Sequence, residues 1–162
     1  MDKNLDLLFM KEALLEAKKA EKEGEVPIGA VLVLNDKIIA KGYNQVEKLQ
    51  DPTAHAEMIC LSSAAADIND WRLVDTTLYV TIEPCIMCAG AIINSRVKKV
   101  VYGAKDLRVG AHGSFIDIFA KKHPIHNVEI EGGILEEEAS FLLKSFFKKR
   151  RNEKSILKSL LD

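Results

Sequence analysis

The chain has 162 residues, 48% of them hydrophobic and 29% charged, with nine glycines and four prolines. That suits one folded domain and excludes a disordered or collagen-like chain. Lys plus Arg (23) nearly balance Asp plus Glu (24), so the net charge of −1 points to no anionic partner by itself, and no apolar run approaches the roughly 18–20 residues of a membrane helix.

The opening segment, about Leu5 to Glu23, has apolar residues at Leu7, Met10, Leu14 and Ala17, with Ala13 and Ala20 alongside. This spacing predicts an amphipathic helix that stops at Gly24. It lacks the basic stretch, apolar run and cleavage site of a signal peptide, so a soluble, cytoplasmic protein with no membrane partner is expected. Two β-rich runs, Ile28–Leu34 and Lys37–Tyr43, flank Asn35-Asp36 and read as a hairpin. Asp51-Pro52-Thr53 then carries helix-start chemistry, with Asp51 or Thr53 as cap and Pro52 in the first turn, and predicts a helix to about Ala66.

A strand follows at Thr76–Ile82, and Pro84 breaks it to open a helix from Cys85 to about Asn94. Further strands are expected at Val97–Tyr102 and Val128–Ile130, and a last helix from about Leu135. The 25 residues from Gly103 to Asn127, with a short helical candidate at Phe115–Ala120, are long enough for a crossover between parallel strands. The layout is an α/β sandwich without linker, repeat or low-complexity stretch.

Three cysteines, Cys60 and the Cys85-x-x-Cys88 pair, do not make a disulfide framework and suggest metal or redox chemistry. Cys85 and Cys88 share a helical face near a helix start, where the positive helix end favours thiolates. His55, also near a helix start, is the natural third ligand. One His and two Cys leave the fourth tetrahedral position open for water, as in a catalytic zinc. Glu57, two residues on, points away from His55 on a regular helix, and a carboxylate beside activated water is equipment for proton shuttling. Alone, a Cys-x-x-Cys is as readily redox or structural, and a fourth ligand from Cys60 would close the open position. Together, His-x-Glu and Pro-Cys-x-x-Cys form the zinc deaminase signature.

The stretches Glu25–Val33, Asp51–Glu57, Thr77–Thr81, Glu83–Gly90, Val101–Ala104, Gly113-Ser114 and Phe146-Phe147 resemble the bacterial tRNA-specific adenosine deaminases, the TadA family, from about Leu14 to Arg151. The resemblance implies a three-layer α/β/α cytidine-deaminase-like fold with a central mixed five-stranded sheet. It implies a single zinc domain over residues 1–151, with 152–162 as a mobile C-terminal tail. By the same resemblance His55, Cys85 and Cys88 hold one Zn2+ per subunit and Glu57 is the catalytic proton shuttle. The reaction it implies is hydrolysis of adenosine to inosine at the wobble position of a tRNA anticodon, by a homodimer with no DNA partner.

Asn44 resembles the base-reading amide and Asp106 an RNA-contacting loop acid. Phe147, Lys148, Arg150 and Arg151 resemble the C-terminal helix that lies against the anticodon stem-loop. Read from the residues alone, Asn44 is equally a turn residue and Asp106 a solvated loop acid or cap. The seven bases between Lys144 and Lys158 are equally a solvated helix face, although Phe146-Phe147 interleaves them with stacking surface. His112 departs from the family, which has a small residue there. A deaminase of free bases or nucleosides and a zinc-containing RNA-binding protein without turnover are the competing readings.

Overall fold

A computed structural model describes residues 3–161. Helix α1 (Lys3–Lys22) leads into strands β1 (Gly29–Leu34) and β2 (Lys37–Tyr43), a short helix α2 (Val46–Leu49) and helix α3 (Ala56–Ile68). Strand β3 (Thr77–Ile82), helix α4 (Ile86–Asn94), strands β4 (Lys99–Ala104) and β5 (Glu129–Gly132) and helix α5 (Glu136–Leu161) complete it. The sheet order is β2-β1-β3-β4-β5. β1 is antiparallel to β2 and β3, whereas β3, β4 and β5 run parallel, so the sheet is mixed as expected.

The layers follow from alternation along the strands. In β1, Ala30 and Leu32 pack with Ala56, Cys60, Ala64 and Ile92 of α3 and α4. Their neighbours Val31 and Val33 face Phe9, Met10 and Ala13 of α1 on the opposite side. Helix α5 joins this second layer through Ala139, beside Leu14 and Ala104. The hairpin turn places Asn35 (φ 50°) and Asp36 (φ 58°) both in the left-handed region, which Asn and Asp tolerate and which matches the twist of the flanking strands. Among the described residues, no helix is long and apolar enough to cross a membrane.

Three local expectations are corrected. The core-facing stripe of α1 is led by Phe9, while Leu7 is 38% exposed; Asp6 is buried instead, where its carboxylate accepts a hydrogen bond from the Tyr79 hydroxyl at 2.6 Å. Asp51 and Thr53 cap no helix. The Asp51 carboxylate accepts from the Thr53 amide at 2.8 Å and hydroxyl at 2.7 Å, closing a turn, and α3 begins three residues later at Ala56. Residues 115–120 are not helical, because their amides are drawn to Gly110 and Ala111 carbonyls and to the Asp117 side chain. Helix α5 runs unbroken past Arg151 to Leu161.

Candidate metal centre and substrate groove

Helices α3 and α4 lie on one face of the sheet with their N-termini side by side. His55 is the N-cap of α3 and Cys85 the N-cap of α4, both with extended backbone, and neither side chain caps its helix. Pro84 ends the run from β3 and aims Cys85 at this point. The side chains turn towards each other instead: His55 Nδ1 is 3.7 Å from Cys85 Sγ and 3.5 Å from Cys88 Sγ. The three donor atoms all lie within 4.8 Å of one another.

These distances fit a single zinc ion. Bonds of about 2.3 Å to sulfur and 2.0–2.1 Å to nitrogen in a tetrahedron put the donors roughly 3.5–3.8 Å apart. The mixed thiolate and imidazole set also suits zinc chemically. Among the described residues Cys60 does not join the cluster. It is fully buried in α3, and burial pushes its thiol up to about 12, so it is a packing residue.

The electrostatics prepare the site for a cation. The hydrogen bond from Cys88, followed by that from His55, pulls the Cys85 thiol down to about 4 despite partial burial. Cys88, as the donor to Cys85, is held above its ordinary value, and His55 is raised by its hydrogen bond to Cys85. Glu57 is 2% exposed, and burial raises its carboxyl above the usual range against the opposing pull of its own backbone N–H and of His55. Glu57, in the first turn of α3, stays outside the His55–Cys85–Cys88 cluster but lies beside the Cys88 thiol.

Asn44 is buried where β2 leaves the sheet. Its backbone N–H donates to Ile28, and the next amide, of Gln45, donates to the Ala54 carbonyl beside His55. The side-chain Nδ2 donates to Glu25 at 3.2 Å. The Glu25 carboxylate, 1% exposed, also accepts from the backbone amides of Glu47 at 3.2 Å and Lys48 at 2.7 Å. It therefore ties the first turn of α2 to Asn44 and fixes which way that amide faces.

The other residues that the sequence points to lie around α5. A groove of about 400 Å3 is lined by Lys105, Asp106, Arg108, Lys144, Phe147 and Arg151, among others. Asp106 accepts from the Arg108 amide at 3.0 Å, and the Arg108 guanidinium sits 5.7 Å from the Phe147 ring centre. Phe147 also lines a neighbouring groove of about 590 Å3 beside Gly24 and Val26, so the ring stands between the two. Arg150 is half exposed and lines that second groove, donating to the Gly24 carbonyl at 2.5 Å and lying over Phe146. Lys148 is exposed on α5 and lines neither groove.

Two buried acids, Glu25 and Glu83, are not singled out by sequence reasoning. Each stands inside a stretch that carries the family resemblance, and an acid within an apolar or motif-dense run is the available signal.

Residues 3–104 match the family described as the cytidine and deoxycytidylate deaminase zinc-binding region. The chain is 50% identical over 149 residues to a tRNA-specific adenosine deaminase of Bacillus subtilis (strain 168), covering 92% of each chain. It is 50% identical over 157 residues to a tRNA-specific adenosine deaminase of Haemophilus influenzae, covering 96% of this chain and 91% of the relative. A solved structure from a study of A-to-I editing by tRNA:A34 deaminases at the wobble position of transfer RNA superposes with a TM-score of 0.80 at 41% identity. That match spans 83% of this chain and 98% of the other.

Proposed function

Because the chain belongs to the tRNA-specific adenosine deaminases and carries the family's zinc-binding deaminase region, we propose that it converts adenosine to inosine at the wobble position of a tRNA anticodon. The observation that carries this reading is the convergence of His55, Cys85 and Cys88 at two helix starts, with Glu57 buried beside them. His55, Cys85 and Cys88 hold one zinc ion per subunit. Zinc, when bound, supplies the Lewis acidity that makes water nucleophilic near neutral pH.

Glu57 moves the protons. Its carboxylate accepts a proton as water adds to C6 of adenine and passes it to N1. It then delivers the second proton to the departing amino group, so ammonia leaves and a C6 carbonyl remains. Burial of Glu57 serves this exchange, because a carboxyl raised above its ordinary range is the better base for taking a proton up between transfers. Asn44, locked by Glu25, presents its amide to the base.

The groove between the 105–108 loop and α5 takes the anticodon loop. Lys144, Lys148 and Arg151 contact phosphates, Phe147 offers a stacking face, and Asp106 shapes the loop beside it. Arg150 lines the neighbouring groove on the other side of Phe147, anchored there by its bond to Gly24. A base in a single-stranded loop costs less to extrude than a paired one, which suits an anticodon. The enzyme works as a cytoplasmic homodimer, with no DNA partner. The dimer reading is supported by an apolar groove of about 500 Å3 on the outer faces of α3 and α4, bordered by the half-exposed Trp71.

The test is incubation of the purified zinc-loaded protein with tRNA, followed by sequencing. Adenosine read as guanosine at the wobble position is expected. Deamination of free nucleosides with none in tRNA would instead favour a small-molecule deaminase.

A further inference from the structure

One buried carboxylate near the metal centre has a defined set of partners but no part in the proton transfers or in holding the metal. Glu83 follows β3 and precedes Pro84-Cys85, and it is 1% exposed. Its side chain is fastened to one loop. Oε1 accepts from the backbone amides of His112 at 2.7 Å and Ser114 at 3.4 Å, and Oε2 accepts from that of Asp106 at 3.2 Å and from the Ser114 hydroxyl.

The backbone beside it continues the same fastening. The Glu83 amide donates to Ala104, the Ala111 amide donates to Pro84, and Cys85 forms a bridge with Gly110. Gly110 presses against the carboxylate so closely that a Cβ there would come within 2.4 Å of Glu83 Cδ. The loop so held is irregular, with turn bonds and isolated bridges in place of a strand ladder. Its outer side exposes Leu107 and Arg108 at 78% each towards the groove that Phe147 and Arg151 complete.

From this geometry we infer that Glu83 is a positioning residue that clasps the RNA-facing loop, residues 106–114, to the segment holding Cys85. It sets the loop in register with the reacting base and deepens, and rests on, the tRNA deaminase reading. The clasp needs a carboxylate specifically. Oε1 faces two backbone N–H groups and Oε2 one N–H group and a hydroxyl, so in either orientation a glutamine amide would set its NH2 group against at least one backbone N–H. Freed, the loop keeps its sequence but not its register, so the loss falls on recognition of the anticodon stem-loop more than on metal holding.

The experiment compares zinc-loaded Glu83→Gln and Ser114→Ala with the parent protein. It measures metal content, amide hydrogen exchange, and kcat and KM on an anticodon stem-loop RNA. For Glu83→Gln, one zinc per chain, faster exchange confined to residues 106–114, and a kcat/KM lowered roughly tenfold mainly through KM are expected. That tenfold is about 1.4 kcal/mol, within the reach of a lost charge-assisted hydrogen bond. Ser114→Ala removes one hydroxyl donor and should move exchange and KM in the same direction by less, which keeps the inference testable if Glu83→Gln fails to fold. Unchanged loop exchange and KM overturn the clasp, as does a parallel loss of zinc, kcat and overall exchange protection. A parent protein that does not deaminate the stem-loop overturns the functional reading instead, and loop exchange in the variants then decides the clasp by itself.

Discussion

Replacement of Gly42 by alanine tests whether the floor of the sheet sets the geometry of the metal centre. Gly42 lies in β2 directly under the first turn of α3, where an added Cβ would sit 2.5 Å from the Ala56 carbonyl oxygen and 2.7 Å from the Cys60 nitrogen. Ordinary contact begins near 3.4 Å, so helix and strand must part by about 0.9 Å. Both obstacles are backbone, so no side-chain rotation relieves them. α3 carries His55 and Glu57, whereas Cys85 and Cys88 belong to α4 and stay where they are. The separations of 3.5 and 3.7 Å that fit a tetrahedral ion would then open.

Overpacking of this kind costs about 1–3 kcal/mol in stability, and a misplacement near 1 Å costs on the order of 100-fold in rate. Gly42→Ala should therefore lower kcat on an anticodon stem-loop by about two orders of magnitude and weaken zinc affinity in a chelator competition, while the chain remains folded by circular dichroism. A variant with reduced melting temperature but parental kcat and zinc affinity would refute the reasoning. It would show that the edge strand β2, which among the described residues pairs with β1 alone, yields in place of the helix.

Glu57→Ala should retain zinc by elemental analysis and lose roughly 10²–10⁴-fold in kcat, the range of general acid–base catalysis; substantial activity would contradict its role. Cys85→Ala and chelation of the parent should both remove the metal and lower the melting temperature. A ligand that binds only the folded chain at 1,000 times its Kd contributes about 4 kcal/mol. Replacing Lys144, Lys148 and Arg151 together by glutamine should weaken stem-loop binding and flatten the plot of log affinity against log salt by about 2, at roughly 0.7 for each phosphate left without its cation. An unchanged slope would remove these bases from the interface. Glu25→Gln faces three donors with one acceptor oxygen fewer, at a cost of roughly 1–3 kcal/mol; kcat/KM should fall about tenfold at parental zinc content, and parental kinetics would show that Asn44 needs no such anchor.

The hairpin and the zinc signature are legible in the sequence because each is written in a few adjacent residues. Asn35-Asp36 can enter the left-handed region, and Cys85 and Cys88, three positions apart at a helix start, stay close together even though Cys85 is the extended N-cap and not a helical residue. Asp51 misleads for a tertiary reason. Its carboxylate can serve a helix or a turn equally well, and here the turn wins because it lets the Ala54 carbonyl accept from Gln45 and brings His55 beside the segment after β2 that carries Asn44. Leu7 and Phe9 differ by two positions on one helix, and the rotation of α1 is decided by Asp6 reaching Tyr79, 73 residues away. Glu25 and Glu83 are illegible for the same reason. Their place in apolar or motif-dense runs marks them as unusual, but their role lies in their partners, which are 19–23 and 23–31 residues further along the chain.

The placement of the metal donors also explains a local weakness in the fold. Ser, Thr, Asp or Asn at an N-cap stabilises a helix by about 1 kcal/mol through a side-chain bond to the first turn, yet α3 and α4 both begin on residues whose side chains make no such bond. His55 and Cys85 are turned away from their own helices and towards each other. The positive ends of two helices therefore meet at the donor cluster, where they favour the thiolates and any negative charge that develops on an attacking oxygen. A serine at either position would cap its helix better but would replace a zinc ligand with a hydroxyl. Local stability at both helix starts is given up at the one place where the chemistry needs open N–H groups and soft donors, and binding of the metal returns it.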